Sequence, residues 1–327
     1  MLLRLLKNHR RSGFVLFPFI LAGIWMNHLM APYPYTWSNG EERFALFGLV
    51  HRMLPGELLT RSLVAIILLA LNSLFLFRIY REHLFPKSWS MLPAILFILL
   101  SSGIGGFQTL HPVWLALPFL SLAIDRLFVS FDLRKPYSLL FNTGLFLGLG
   151  SLFWFHLLIL LPAFIIGANM MARDTRWREG TLLFLGTLVP WIFAFSAAFL
   201  TDSTRDLAGL ISGQLLTPVP KLSISIPVML FIGFTALLTL AGSYSILQHY
   251  DQNKVSFRRF YIFFFLLFIS CVPAYFFIPG VTPAIFILAA LPVTFLLSNY
   301  LESFRRYLPG DLILLLILAL VIYIQLL

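Results

Sequence analysis

The feature that most constrains this chain is a succession of long apolar runs separated by short polar turns. Eleven such runs follow one another, at residues 13–31, 59–77, 89–105, 112–127, 137–152, 155–171, 181–200, 224–247, 260–278, 281–298 and 311–326. A helix needs about 20 apolar residues to cross the hydrocarbon core of a bilayer, with about 17 as the lower limit. The runs predict an all-α polytopic membrane helix bundle with about 11 transmembrane helices, of which the fourth and fifth are short.

The composition agrees with a membrane bundle and argues against other classes of protein. Hydrophobic residues make up 60% of the 327 residues and charged residues only 11%, whereas about 25% of a soluble domain is charged. Membrane β-barrels alternate apolar and polar residues instead of running apolar. Because no linker or repeat interrupts the pattern, we expect residues 1–327 to form a single integral membrane domain.

The basic residues predict how the bundle is oriented. If the N-terminus is cytoplasmic, 18 of the 23 lysines and arginines fall on inner segments. Cytoplasmic loops carry such an excess of basic residues, so we expect an N-in, C-out topology. The outer cations are then Arg43, Arg52, Arg61, Arg205 and Lys221. Because the basic residues form small clusters between apolar runs, the net charge of +10 reflects topology and does not predict nucleic-acid binding.

Two outer loops are long enough to carry chemistry, at residues 32–58 and 201–223. In the first, Glu41 and Glu42 are predicted to open a short helix that runs to Leu54 and ends at Pro55 and Gly56. A carboxylate here could act as a general base toward a hydroxyl or bind a divalent cation. Acidic residues also stabilise a helix N-terminus without any chemistry. Both interpretations stay open at this point.

Several further polar residues are predicted to lie at the outer boundary. His51, His111 and His156 are spaced without any metal-ligand signature, so we expect no metal site. A bound phosphate would need outer cations, although the same cations could contact lipid headgroups. The residues that could bind a substrate are Arg52, Arg61, His111, His156 and Arg205.

Three short segments resemble a known group of sequences. Residues 152–156 (LFWFH), 176–179 (RWRE) and 190–191 (PW) resemble an uncharacterised polytopic inner-membrane family of Bacteroidota. This resemblance implies a multi-pass protein of the bacterial inner (cytoplasmic) membrane, and it implies no activity.

A more distant resemblance concerns the order of one span, an acidic outer helix and many short spans. It resembles the C-type glycosyltransferases, whose first outer loop carries an acidic residue in an Asp-Glu-x-x-Tyr-like stretch. Residues 40–44 (GEERF) are similar, with Gly40 at the aspartate position when Phe44 takes the aromatic one. Residues 103–112 and 144–152 resemble the outer turn and the Gly-rich helix of that superfamily. The resemblance implies catalysis by Glu41 or Glu42 on a polyprenyl-phosphate-linked sugar, with no cofactor.

A second hypothesis is a non-catalytic membrane subunit of a cell-envelope assembly or export complex. It fits the imperfect acidic motif and implies a membrane-protein partner beside the lipid. A transporter is a third hypothesis. It is weakened because Asn72, Asn142 and Asp125 are the main polar residues of the spans, whereas transporters place charged groups near mid-membrane.

Overall fold

The computed structural model describes residues 10–35, 37, 40–54, 56–84, 90–104, 106–173, 177–219, 225–248, 254–304 and 307–326. Within these ranges the secondary structure is helical, and no strand is present. The α-helices are α1 (Arg10–Met30), α2 (Ala45–Met53), α3 (Leu58–Ile79), α4 (Leu92–Ser102), α5 (Pro112–Val129), α6 (Tyr137–Phe153), α7 (Leu161–Met171), α8 (Trp177–Leu200), α9 (Thr204–Leu216), α10 (Ile226–Gln248), α11 (Val255–Phe277), α12 (Ile285–Ser303) and α13 (Tyr307–Leu326). Short 3-10 helices occupy Glu41–Arg43 and Phe155–Leu160, and a π-helical turn follows α3 at Tyr80–Leu84.

Each of the eleven apolar runs contains a helix. Among the described residues, eight helices are long and apolar enough to cross a membrane, namely α1, α3, α5, α8, α10, α11, α12 and α13. The remaining runs contain the shorter apolar helices Leu92–Ser102, Tyr137–Phe153 and Phe155–Met171. The fourth run, which is short in the sequence, forms an 18-residue helix. The architecture is that of a multi-pass membrane protein.

Helices α4 and α12 form the centre of the bundle. Every residue of α4 is buried, and α12 is buried along most of its length. A helix that is apolar on all sides has no face that favours water, so it is stable in the interior. Both helices contain hydroxyl groups that are hydrogen-bonded within their own helix. Ser101 of α4 donates to the Phe97 carbonyl (2.6 Å), and Thr294 of α12 donates to the Ala290 carbonyl (2.7 Å).

Helices α6 and α8 lie so close that their backbones touch. A Cβ on Gly144 would stand 1.9 Å from the Leu183 carbonyl oxygen, and one on Gly186 would stand 2.2 Å from that of Phe141. Small residues allow membrane helices this approach. The Gly-rich run at 144–150 therefore has a structural explanation in helix contact.

Large apolar side chains cover much of the outside of the bundle. In α8, Phe193 is 71% exposed and Leu200 is 83% exposed, and in α13 Leu308 is 73% exposed. Such a continuous apolar exterior would be unstable in water and is stable against lipid tails.

The first of the two outer loops differs in secondary structure from what the sequence predicts. The predicted single helix from Glu41 to Leu54 is broken, because Phe44 is extended (φ −67°, ψ 130°) between the 3-10 turn and α2. Phe44 is then buried against Phe155 and Trp191. The second outer loop is largely helical, because it contains α9.

Segments that were predicted to lie on the same side of the membrane meet in the fold. Glu41 contacts Trp154 and Thr282, which follow α6 and precede α12. At the other end, His83 contacts Asp125, and the Arg259 guanidinium donates to the Met170 carbonyl (2.6 Å). We call these the outer and the inner end of the bundle, after the sides on which the sequence predicts them to lie.

Candidate functional site

The residue that organises the outer end is Glu41. It begins the 3-10 turn, directly after Gly40, whose positive φ of 71° favours glycine. This turn directs the Glu41 side chain into the bundle, where it is only 1% exposed. A carboxylate buried to this degree is costly unless it is compensated by hydrogen bonds or charges.

Three side chains from distant parts of the chain surround the Glu41 carboxylate. The Trp154 indole N–H donates to Oε1 over 3.4 Å, and the Thr282 hydroxyl donates to the same oxygen over 3.2 Å. His111 Nε2 lies 3.5 Å from Oε2. The two hydrogen bonds to Oε1 are long, and His111 Nε2 and Oε2 are near each other without forming a hydrogen bond. Together the three contacts join the first outer loop to α5, α6 and α12. We call Glu41, His111, Trp154, His156 and Thr282 the acid site.

The hydrogen bonds of His111 fix which nitrogen carries its proton. His111 caps α5, and its Nδ1 accepts the backbone N–H of Val113 over 3.2 Å. Nδ1 is therefore unprotonated, and the proton of the neutral ring lies on Nε2. His111 thus presents an N–H to Glu41 and has no free nitrogen to act as a base.

His156 is buried beside this pair and has a different arrangement. Its Nε2 lies 3.0 Å from the backbone carbonyl oxygen of Gln214 and so donates to it. Among the described residues, its Nδ1 has no hydrogen-bond partner, although the side chain is only 1% exposed. The ring of His156 lies 5.3 Å from that of Trp154, between their centroids.

The environment of Glu41 keeps its carboxylate ionised. Burial raises the pKa of Glu41, but the nearby N–H of His111 and the imidazoles of His111 and His156 lower it by a larger combined effect. The hydrogen bond from Trp154 acts in the same direction, so the pKa lies below its ordinary value of 4.5. At neutral pH the site holds a buried negative charge.

Aromatic rings enclose His111. The rings of Tyr35 and Phe107 lie 5.1 Å from that of His111, and Trp37 stacks on it at 6.1 Å. Burial, and then the charge of Glu41, raise the pKa of Tyr35. Tyr35 and Trp37 therefore form part of the wall of the acid site.

Glu42 lies outside the acid site. It faces Arg43 at 3.7 Å and interacts electrostatically with His51. Burial, and then the charge of Arg61, lower the pKa of His51, while Glu42 opposes them. Arg61 is half-buried, and its Nε–H donates a hydrogen bond to no described residue. Glu42, His51 and Arg61 thus form a second, more open polar cluster.

The remaining predicted substrate-binding residues lie apart. Arg52 and Arg205 are exposed, and so are Asp202 and Asp206 in the second outer loop. The structure thus brings Glu41, His111 and His156 together and leaves Arg52 and Arg205 at the surface.

Two members of the outer environment had no signal in the sequence. Thr282 lies in a short turn, and Gln214 contributes a backbone carbonyl, which any residue type can supply.

The three outer histidines do not form a metal centre in the described part of the chain. There, the one group with metal-ligand proximity is Glu82, His83 and Asp125 at the inner end, within 4.8 Å of one another. Arg78 already donates to Glu82 over 2.9 Å, and Arg126 lies 3.9 Å from Asp125. These arginines supply the positive charge that a cation would bring.

Comparison with known sequences gives the family. Residues 43–326 match DUF6427, a family of unknown function. The chain belongs to the DUF6427 family. The DUF6427 match includes His111, Trp154, His156 and Thr282 and begins just after Glu41 and Glu42. No curated protein and no solved structure matches the chain.

Proposed function

We propose that this chain is a glycosyltransferase-like enzyme that uses a polyprenyl-phosphate-linked sugar at the extracytoplasmic face of the bacterial inner membrane. The location rests on the resemblance to inner-membrane proteins of Bacteroidota. The N-in, C-out orientation rests on the 18 of 23 basic residues that gather on one side. With this orientation the acid site faces outward.

The observation that carries the proposal is the buried carboxylate of Glu41, which is 1% exposed and has three polar side chains within 3.5 Å. Ionisable groups inside membrane proteins are costly and are found mainly where they function. The three contacts of Glu41 are 3.2–3.5 Å long, which is longer than expected for charge-assisted hydrogen bonds of about 2.7–2.9 Å. The surroundings therefore keep the carboxylate charged without binding it tightly.

In the proposed reaction, Glu41 accepts the proton of an acceptor hydroxyl. The hydroxyl oxygen then bonds to the anomeric carbon of the sugar, and the bond from that carbon to the phosphate oxygen breaks. The polyprenyl phosphate leaves with the electron pair, and Arg61 stabilises its negative charge. Because Glu41 is enclosed, an acceptor reaches it only after the aromatic rings packed around His111 have moved.

The experiment measures transfer from polyprenyl-phosphate carrying a radiolabelled sugar by the purified protein in vesicles. We expect Glu41→Gln to reduce the rate by about 10²-fold or more, since general bases contribute about 10²–10⁴-fold. Glu42→Gln tests the neighbouring acid, and Asp206→Asn is the control on exposed α9. Full activity of a folded Glu41→Gln protein would refute the proposal.

A second function, a non-catalytic subunit of a cell-envelope or export complex, is favoured by one observation. Glu41 is 1% exposed, and its contacts join three distant segments, as in a purely structural tie. The subunit hypothesis predicts a stoichiometric membrane-protein partner after purification in mild detergent. It also predicts that wild-type protein transfers no sugar from any polyprenyl-phosphate donor.

A further inference from the structure

A separate cavity lies at the outer end of the bundle. Its volume is about 330 Å³, and it is bounded by the last turns of α1 and α13, the end of α4 and the segment before α5. The residues that line it are Asn27, His28, Ala31, Tyr33, Ser102, Gln108, Ile324 and Gln325. The volume lies within the usual range for small-molecule pockets.

The hydrogen bonds of His28 determine what it offers to this cavity. His28 Nε2 lies 2.9 Å from Ser62 Oγ, and the Ser62 hydroxyl donates its hydrogen to the Leu58 carbonyl over 3.0 Å. Ser62 must therefore accept from His28, so the proton of the imidazole is on Nε2. Nδ1 is left as an acceptor, and no described residue donates to it. His28 is 2% exposed.

Amide groups supply donors to the same cavity. The Nε2 of Gln108 has no acceptor among the described residues, and Gln108 is 6% exposed. The Nε2 of Gln325, at the end of α13, also has no acceptor among the described residues. Ser102 Oγ accepts from the Trp25 indole (3.1 Å), which leaves its own hydrogen for a further partner. Buried polar groups are almost always hydrogen-bonded, so this many open positions indicate a missing partner.

The chemistry of the lining selects the class of partner. Among the residues that the structure describes, no lysine, arginine, aspartate or glutamate lines the cavity, so a phosphate or a carboxylate would find no counter-charge from them. A divalent cation would find one imidazole and no carboxylate. A neutral ligand with several hydroxyls, by contrast, both donates to an imidazole nitrogen and accepts from amide N–H groups.

We propose that this cavity binds a neutral polyhydroxyl group of the size of one sugar ring. His28 Nδ1 accepts from one of its hydroxyls, and Gln108 and Gln325 donate to its oxygens. The inference stands apart from the transfer reaction, because it rests on other side chains than the acid site. The ligand is either a free sugar or the headgroup of a glycolipid.

The test measures binding of uncharged sugars to the full-length protein in lipid nanodiscs, which avoids sugar detergents. Methyl glucoside, methyl mannoside and N-acetylglucosamine are the probes, followed by saturation-transfer NMR and by the fluorescence of Trp25. Octyl glucoside, added below its micelle concentration, carries the same headgroup on an alkyl chain. Tighter binding of octyl than of methyl glucoside identifies a glycolipid headgroup, and equal binding identifies a free sugar.

Variants connect the binding to the cavity. We expect Gln108→Leu to weaken sugar binding at least tenfold. Gln325→Leu, closer to the surface and less disturbing to the fold, should weaken it several-fold. Gln248→Leu, an exposed glutamine on α10, is the matched control and should bind as the wild type does.

Three results would overturn the assignment. The first is saturable binding of none of these probes at millimolar concentration, as expected of a cavity that holds only water. The second is undiminished binding by both folded cavity variants. The third is stronger binding of inositol phosphate than of inositol, which would contradict the neutral character of the ligand.

Discussion

Two acid–histidine pairs lie at opposite ends of the bundle and differ in how their charges are compensated. At the inner end, His83 and Asp125 are 2.9 Å apart, and their side chains are 13% and 10% exposed. At the outer end, His111 and Glu41 are 3.5 Å apart, with exposures of 0% and 1%. The inner pair is hydrogen-bonded and partly open to solvent, whereas the outer pair is in contact without a hydrogen bond and is fully buried.

The arginines around the two pairs explain the difference. Arg126 lies 3.9 Å from Asp125, and Arg78 binds the adjacent Glu82 at 2.9 Å. Within the described ranges, no lysine or arginine comes within ion-pair distance of Glu41. Arginines therefore compensate the charges of the inner acids directly. The charge of Glu41 is instead compensated by hydrogen-bond donors that carry no charge. This contrast is why the outer pair carries the functional proposal and the inner pair does not.

The largest difference should come from removing each acid. Glu41→Ala leaves the Trp154 N–H and the Thr282 hydroxyl without their acceptor inside the bundle. Buried unsatisfied groups cost about 1–3 kcal/mol each, so we expect a loss of about 2–6 kcal/mol in unfolding free energy. The measurement is chemical denaturation of the detergent-solubilised protein, followed by tryptophan fluorescence.

Asp125→Ala is the matched variant at the inner end. We expect it to cost about 1 kcal/mol, because the partly exposed His83 can hydrogen-bond to water instead. Equal losses for the two variants would remove the distinction between the ends.

The next effect concerns the backbone support of the acid site. A Cβ on Gly280 would stand 1.9 Å from the Gln214 carbonyl oxygen, which is the acceptor of His156. Gly280→Ala should displace this carbonyl and cost about 2 kcal/mol, as overpacking commonly does. The same denaturation experiment measures the loss.

Gly209→Ala, in the same helix α9 as Gln214, is the control. A Cβ there meets nothing within 4 Å, and alanine favours helix by about 1 kcal/mol over glycine. Unchanged or increased stability is expected for Gly209→Ala. A harmless Gly280→Ala would show that the carbonyl of Gln214 is free to move.

A pH dependence should be found at the outer end. Since the pKa of Glu41 in the folded protein is below its ordinary value of 4.5, ionisation stabilises the fold above that value. The contribution is lost as the pH falls from about 4.5 through the lowered pKa. Relative to Glu41→Gln, the wild type should therefore lose melting temperature between pH 6 and pH 3. Parallel curves for the two proteins over this range would contradict the assigned direction.

The smallest effect is expected for the exposed inner pair of Arg78 and Glu82. Their side chains are 57% and 37% exposed and are spaced four residues apart. Such pairs contribute about 0.3–0.5 kcal/mol, so Arg78→Gln should lower the melting temperature only slightly, and less so in high salt. A loss comparable with that of Asp125→Ala would mean that Arg78 supports the whole inner cluster.

The sequence predicted the helices better than it predicted the contacts between them. Run length and apolarity located a helix in every run. Helix α9 lies in the second outer loop, where Leu207, Leu210 and Ile211 recur at helical spacing. Its role in holding His156 depends on a backbone carbonyl, and residue type does not encode that.

The sequence predicted several residues of the acid site, but it did not predict that they are in contact. Glu41 stood out as an outer acid, and His111 and His156 as boundary histidines. Their meeting depends on how α5, α6 and α12 pack, and a single sequence does not state this. Arg52 and Arg205 were chosen for charge alone, and the fold leaves both exposed.

The backbone contact between α6 and α8 has a mechanical consequence. Gly144 and Gly186 lie against carbonyl groups of the opposing helix. The Trp191 indole N–H also donates to the Ser151 hydroxyl over 2.8 Å. The two helices are therefore expected to move as one rigid unit. Trp154 and His156 directly follow the end of α6 at Phe153. Because the backbones of α6 and α8 are in contact at these glycines, we expect this pair of helices to hold Trp154 and His156 in place beside Glu41.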